Sequence, residues 1–312
     1  MDLSIIIVNW NTRDLLAQCL HSLESTAIHC NPTTQSLIFG TYTAEVLVVD
    51  NGSTDGSAAL VRGSFAWAKL ISNDHNRGFA PANNQAIRLS TGRYVLLLNS
   101  DTEVRSGAME ALVSFMDAQP TAGAAGAYLL NTDNSLQPSC QPMLTPWREF
   151  WRLTFLDRVW QRATYPMSSW DTATAHRVEV IKGACMVVRR AALDRVGLLD
   201  EQYFFYTEEV DLCYRLLRDS WTLHWVPQAR VVHHGEASSK QMAEAMYLQL
   251  YRSKVQFYRK TGGERSARRF KRLVALAYWP RIVLATLGKP IAPQLSVPAR
   301  TYGRLLNELP RM

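Results

Sequence analysis

The chain has 312 residues, 47% of them hydrophobic and 20% charged, enough to bury a sizeable core in one large domain or two. Its net charge of +7 is uneven: residues 1–249 carry 20 Lys and Arg against 25 Asp and Glu, whereas 250–312 carry 14 against 2, so the basicity belongs to the tail. The five cysteines, Cys19, Cys30, Cys140, Cys185 and Cys213, are scattered and form no CxxC pair, which argues against a disulfide framework and a zinc site and fits a reducing compartment.

In chain order, the first element is the apolar run Ile5-Ile6-Ile7-Val8, which stops at Asn9. Leu15, Leu16, Cys19, Leu20 and Leu23 then form the single apolar stripe of a helix, with Thr12 as a plausible N-cap. An irregular stretch at 30–44 precedes the second run, Val46-Leu47-Val48-Val49, which stops at Asp50 and opens the turn-rich segment Asp50-Asn51-Gly52-Ser53-Thr54-Asp55-Gly56-Ser57. A helix is expected near Ala58 to Arg62, a short strand near Lys69 to Ser72, and a helix opened by Asn76-Arg77-Gly78-Phe79-Ala80 that runs through Leu89. The third run, Val95-Leu96-Leu97-Leu98, delivers Asn99-Ser100-Asp101. Short apolar runs of this kind read as buried parallel strands, and ligands of open α/β sheets bind beyond the carboxyl ends of such strands. Asp50 and Asp101 are therefore expected to share one cleft.

Beyond these units, 131–176 is irregular, with Pro138, Pro142, Pro146 and Pro166 among Trp147, Phe150, Trp151, Phe155, Trp160 and Trp170, and reads as an inserted, acceptor-side region. Strands follow at Val178 to Ile181 and Ala184 to Val188, a helix at Arg190 to Val196, a charged segment at Tyr206 to Arg218, and two strands at Thr222 to Val226 and Ala229 to His233. The expected division is a domain over 1–240 and a basic, amphipathic helical tail over 241–312. Asp2 stands where a signal peptide would be basic, so the chain is expected to start near Met1 and stay inside the cell. The longest apolar stretch, Leu273 to Leu287, is too short and is interrupted by Pro280-Arg281.

Asp101, at the end of a buried strand, suits a hard divalent cation held by carboxylate and substrate phosphates. His233, after an apolar strand, carries a ring that often ligates metals. Glu208, Glu209 and Asp211 also suit the start of a helix.

Taken together, Ser4-Ile5-Ile6-Ile7-Val8-Asn9-Trp10-Asn11, Asp50 to Ser57, Asn76-Arg77-Gly78-Phe79-Ala80, Asn99-Ser100-Asp101-Thr102-Glu103, Gly183-Ala184-Cys185-Met186, Thr207-Glu208-Glu209-Val210-Asp211-Leu212 and Val232-His233-His234-Gly235 occur in the order of a known family. Over roughly residues 3–240 the chain resembles the family 2 inverting glycosyltransferases of the GT-A fold, and among them the rhamnosyltransferase-like branch. The resemblance implies an α/β, mainly parallel sheet flanked by helices. It implies a nucleotide-sugar pocket lined by Asn9, Asn11, Asp50, Asn51, Ser53, Asn76, Gly78, Asn99 and Ser100, with Asp50 on the pyrimidine base. Mg²⁺ or Mn²⁺ would sit on Asp101 and His233, with His234 a spectator. Asn99 stands at the first position of the family's DxD element, so a weaker but still metal-dependent site is expected. The base that deprotonates the acceptor hydroxyl would be Glu209, with Glu208 the alternative and Asp211 a supporting residue.

The implied reaction moves L-rhamnose from dTDP-L-rhamnose to a lipid-linked saccharide, with UDP-sugars open as donors and a homodimer open as the assembly. Arg265, Arg268, Arg269, Lys271 and Arg272, followed by Leu273, Val274, Leu276, Ala277, Tyr278 and Trp279, fit a helix on an anionic membrane surface, at the inner face of the cell membrane, and no nucleic-acid motif is present. An oxidoreductase is disfavoured because no GxGxxG follows the first strand. A catalytically inactive nucleotide-sugar-binding protein is the remaining alternative.

Overall fold

A computed structural model describes residues 1–161, 163–235, 243–288 and 296–312. The chain falls into two units, one of Met1–Gln141, Pro166–Phe204 and Glu208–Gln241, the other of Pro142–Tyr165, Phe205–Thr207 and Met242–Met312. Part of the segment expected as an insertion into the first domain thus groups with the tail helices.

The first unit is built on β1 (Leu3–Asn9), α1 (Arg13–Thr26), β2 (His29–Asn31), β3 (Ser36–Phe39), β4 (Tyr42–Asn51), α2 (Ser57–Ser64), β5 (Lys69–Asn73), α3 (Phe79–Leu89) and β6 (Tyr94–Asn99). It continues through β7 (Thr102–Val104), α4 (Ala108–Ala118), β8 (Ala122–Leu130), β9 (Leu136–Gln137) and β10 (Cys140–Gln141). After the break come β11 (His176–Val178), β12 (Val180–Ile181), β13 (Cys185–Arg189), α6 (Arg190–Val196), α7 (Glu208–Arg218) and β14 (Thr222–His233), while α5 (Pro146–Leu153) belongs to the second unit.

The large sheet runs β11-β14-β8-β13-β6-β1-β4-β3-β2, with β5 on β4, β7 on β14 and β9 on β8. Its heart is parallel: β1 pairs with β4 on one side and β6 on the other, and β4 pairs with β5. Ile5, Ile6, Ile7, Val48, Val49, Val95 and Leu96 are fully buried there, as expected where helices cover both faces. Away from this heart, β13 pairs antiparallel with both β6 and β8.

Two expectations are corrected. The stretch at 30–44, expected to be irregular, contains the β2–β3 hairpin, whose strands are only three and four residues long, with Leu37 and Phe39 of β3 buried. The two strands expected at 222–226 and 229–233 are one strand, β14, whose register against β8 shifts between Val226 and Arg230. Pro227 lies in that shift, where a missing N–H costs the ladder nothing.

At the opposite edge of the parallel strands from the cleft, the fully buried Glu45 accepts from Ser4 Oγ (2.8 Å), Thr91 N (2.6 Å) and Lys69 Nζ (2.7 Å). Burial alone would raise its pKa, but the Lys69 ammonium and the hydroxyl and amide donors outweigh it and bring the carboxyl down to about 2. A depressed carboxylate contributes stability that is complete above its unfolded pKa and is lost as pH falls through the folded value. Glu45→Gln is therefore expected to cost about 2 kcal/mol at pH 7, with the gap to the parent closing between pH 4.5 and 2. Urea melts of both proteins across that range check it.

In the second unit the long helix Ala243–Gly288 is interrupted at Gly263 (φ 69°, ψ −177°). Glu149 of α5 is buried against Lys254 (2.9 Å) and also pairs with Arg152, which ties α5 to this helix. Among the described residues no helix is long and apolar enough to cross a membrane. Residues 289–295 of the expected tail lie outside the described residues.

Candidate active site

The register of the parallel strands places Asn9 opposite Asp50, and Val8 opposite Asn99, so three polar strand ends meet at one edge of the sheet. Asn9 is the hub. Its Oδ1 accepts from Thr12 Oγ1 (2.6 Å), and its Nδ2 donates to Asp50 Oδ1 (3.3 Å) and Ser53 Oγ (3.2 Å). Ser53 N donates to Asp50 Oδ2 (3.3 Å), and Ser53 Oγ accepts from Asn11 N (3.0 Å). Asn11 (φ 51°) in turn accepts from Thr54 N (2.8 Å). A carboxylate can accept about four hydrogen bonds, so Asp50, held by two, keeps acceptor capacity for an imide or amide N–H.

Asn51, expected to line the pocket, is buried with both ends of its carboxamide in use. It donates to Asn76 Oδ1 (3.0 Å) and Gly78 O (3.1 Å) and accepts from Asn73 Nδ2 (3.1 Å) and Arg77 N (3.1 Å), so it holds the 73–78 loop in place. Asn76 Oδ1 also accepts from Gly78 N (2.9 Å). Gly78 needs its glycine: φ is 93°, and an added Cβ would lie 2.7 Å from Phe204 O.

Across the cleft, β7 pairs antiparallel with the end of β14, Thr102 opposite His233, and His234 N donates to Asp101 O (2.9 Å). That pairing brings Asp101 Oδ1 to 3.3 Å from His233 Nε2, two residues 132 positions apart. Asn99 Nδ2 lies 3.3 Å from the same Nε2, and Ser100 Oγ is 3.0 Å from Thr12 Oγ1. His234 turns away to Glu103 (2.7 Å).

Gln137 gave no signal in the sequence, because β9 is two residues long and carries no pattern. Its Nε2 donates to His233 O (3.1 Å) and Asn131 Oδ1 (3.0 Å), which turns its Oε1 toward His233 Nδ1 (2.6 Å). The Nδ1 nitrogen therefore carries a proton, and Nε2 is the atom presented to Asp101. Two ligands at right angles on a Mg²⁺-sized cation stand about 3 Å apart, so this oxygen and nitrogen fit neighbouring positions on one ion. Among the described residues no three His, Cys, Asp or Glu side chains gather around a metal position. A cation here would take its remaining ligands from substrate and water.

Glu208 and Glu209 open α7. A Cβ on Gly183 would stand 3.7 Å from Glu209 Cβ, and the next residue, Ala184, accepts through its carbonyl from Asn99 N (2.9 Å), so Glu209 lies over the end of β6. Glu208 is 5% exposed. Burial first, and then the charge of Glu209, push its carboxyl well above the usual carboxylate range. Tyr206 and Thr207, just before the pair, have φ of 66° and 74°, values that are costly for a β-branched residue. Asp211 is fully buried and binds Arg215 Nε (2.8 Å), whose other nitrogens hold the carbonyls of Val196, Gly197 and Leu198. Through that pair it ties α7 to the 196–198 turn.

The profile of the family described as Glycosyl transferase family 2 matches residues 4–197. A relative in Mycobacterium tuberculosis, N-acetylglucosaminyl-diphospho-decaprenol L-rhamnosyltransferase, is 32% identical over 208 residues, which are 61% of this chain and 66% of that protein, just under two thirds of its length. The low-salt glycan biosynthesis hexosyltransferase Agl10 of Haloferax volcanii is 23% identical over 75% of this chain and 67% of its own. Among solved structures, the mannosyltransferase PcManGT of Pyrobaculum calidifontis with GDP-Man and Mn²⁺ superposes with a TM-score of 0.54 at 18% identity, covering 97% of this chain and 84% of that one. GalNAc-T7 with UDP, GalNAc and Mn²⁺ superposes with a TM-score of 0.53 at 15% identity, covering 75% of this chain and 44% of that one. These likenesses establish the GT-A fold.

Proposed function

The chain belongs to glycosyl transferase family 2, and from that premise we propose that it transfers L-rhamnose from dTDP-L-rhamnose, with inversion, to a hydroxyl of a lipid-linked saccharide in cell-envelope synthesis. The observation that carries the reading is the meeting of Asp50, Asp101 and His233, with Glu209 over the end of β6, at one sheet edge. The choice of sugar and acceptor is supported by the name of the mycobacterial relative. The nucleotide-bound structures of similar fold leave UDP-sugars as the second donor class.

In this reading Asp50 accepts from the pyrimidine's imide N–H, and the loop held by Asn51, with Gly78 at its tightest point, closes over the nucleotide. Asp101 and His233 would hold Mg²⁺ or Mn²⁺, which when bound offsets the charge of the leaving diphosphate. Glu209 takes the proton of the acceptor hydroxyl as it attacks the anomeric carbon from the face opposite the diphosphate. A lipid-linked acceptor places the reaction at a bilayer, and we assign the basic tail to the anionic inner face of the cell membrane.

The test is the purified protein with Mn²⁺ or Mg²⁺, a synthetic polyprenyl-diphosphate saccharide and a panel of dTDP- and UDP-sugars. Acceptor-dependent release of dTDP from dTDP-rhamnose is the expected result. Nucleotide binding with no acceptor-dependent release from any donor would identify a non-catalytic binder instead. Gln137→Leu is expected to weaken Mn²⁺ binding in the presence of dTDP by ten- to a hundredfold, since partners that orient a metal-binding histidine carry about that much affinity. Titration of free Mn²⁺ by electron paramagnetic resonance reads this directly.

A further inference from the structure

The second unit carries most of the exposed large apolar side chains among the described residues, including Trp147, Phe155, Val159, Trp160, Leu276 and Trp279. Trp279 is 66% exposed, Leu276 72% and Val159 90%. They come from two segments distant in sequence that meet. Arg281 stacks 4.5 Å over Phe155 and 4.7 Å over Tyr278 and donates to Leu153 O, while Trp151 bridges Trp147 and Trp160 edge to face.

After the break at Gly263 the helix has two opposed faces. Ala267, Phe270, Val274 and Tyr278 are buried on one. The other repeats every three or four residues as Arg265, Arg268 and Arg269, Arg272, Leu276, Trp279 and Val283, all exposed. It is basic over its first half and apolar over its second, along about 27 Å of helix.

We propose that this face, together with the exposed aromatic edge of 147–160, is the docking surface for an anionic lipid bilayer. Arginines at the headgroups and a Trp-bearing apolar end among the acyl chains are what an interfacial helix requires. A second copy of the chain would bring the same arginines to the contact, and 250–312 offers two acidic residues to meet them. Nucleic acid would leave Leu276 and Trp279 in water. The inference rests on the lipid-linked acceptor proposed above, yet vesicle binding and nucleotide binding are separate measurements, so each can fail alone.

The experiment is flotation of the full chain with phosphatidylcholine vesicles with and without phosphatidylglycerol, alongside dTDP binding in solution. Binding to the anionic vesicles alone is expected. Arg268→Gln/Arg272→Gln should weaken it about 25-fold, at roughly fivefold per charge. Leu276→Gln/Trp279→Gln should weaken it more than tenfold. Both double variants should keep parental dTDP binding. No flotation of the parent, or flotation unchanged in both variants, overturns the proposal. So does a parent dimer that either variant dissociates in sedimentation velocity, because the face would then be a self-interface. Should the variants unfold, the parent decides: quenching of its tryptophan fluorescence by brominated acyl chains supports the proposal, and absence of quenching overturns it.

Discussion

Glu209→Gln is expected to lower the rate of sugar transfer by about a thousandfold while leaving nucleotide-sugar affinity within a factor of two or three. General-base catalysis contributes roughly 10²–10⁴ to a rate, and the amide keeps the shape of the side chain but cannot accept a proton. The argument for Glu209 over Glu208 is physical. Two adjacent carboxylates cannot both be charged cheaply, and Glu208, the more buried, has its pKa raised by burial and by its neighbour. On that ground we propose Glu209, the less buried of the two, as the base. Glu208→Gln should therefore retain most of the activity. Its effect on stability has a defined sign: the stability that protonated Glu208 contributes is complete below the unfolded carboxylate range and is lost as pH rises through the raised folded value. Glu208→Gln should therefore unfold at the same temperature as the parent in acid and at a higher one in alkali. Single-turnover rates for the two variants, with melting curves from pH 4 to 9, decide the assignment. A dead Glu208→Gln beside an active Glu209→Gln would reverse it.

The parallel heart of the sheet was legible in the sequence because β1, β4 and β6 are buried on both faces, so each reads as an unbroken apolar run ending at a polar residue. Adjacent parallel strands then bring those ends together without side-chain information. The antiparallel half was less legible. β14 changes register at Pro227, which in sequence looks like the gap between two strands, and β2 and β3, three and four residues long, are too short to stand out although β3 buries Leu37 and Phe39 in alternation. Asp101 and His233 were each visible as strand-end residues. What joins them, the β7–β14 pairing and the Gln137 carboxamide, depends on contacts across roughly a hundred residues that no local pattern encodes. Nor did spacing reveal that Asn51 would be engaged at both ends of its carboxamide or that Asp211 would be buried against Arg215, since a buried structural polar residue and an exposed binding one look alike in a motif. The same limit applies to 142–165, whose aromatic residues read as an insertion. The Glu149–Lys254 pair, 105 positions apart, is what fastens part of it to the tail helix.

Asp101→Asn should abolish the metal-dependent part of both binding and catalysis, in contrast to Glu209→Gln, which spares binding. Asn99 occupies the position where a second carboxylate would stand in the family's DxD element, and its Nδ2 is turned to His233. Asp101 is then the one anionic side chain of the Asn99–Asp101 turn, and replacing it leaves no negative charge there to hold a hard cation. His233→Ala should cost less, because water can take the place of an imidazole but not of a carboxylate's charge. A diphosphate leaving without its cation loses the electrostatic stabilisation that preorganised charge supplies, commonly the largest single contribution to a rate. The expected fall in transfer for Asp101→Asn is at least a thousandfold, about 4 kcal/mol in the barrier. Calorimetric titration of dTDP with and without Mn²⁺ separates the causes. The parent and Glu209→Gln should bind dTDP more tightly with Mn²⁺, and Asp101→Asn should bind it equally and weakly in both conditions. If Asp101→Asn kept the Mn²⁺-dependent gain, the cation would have to lie elsewhere, and the assignment of Asp101 and His233 as its ligands would fall with it.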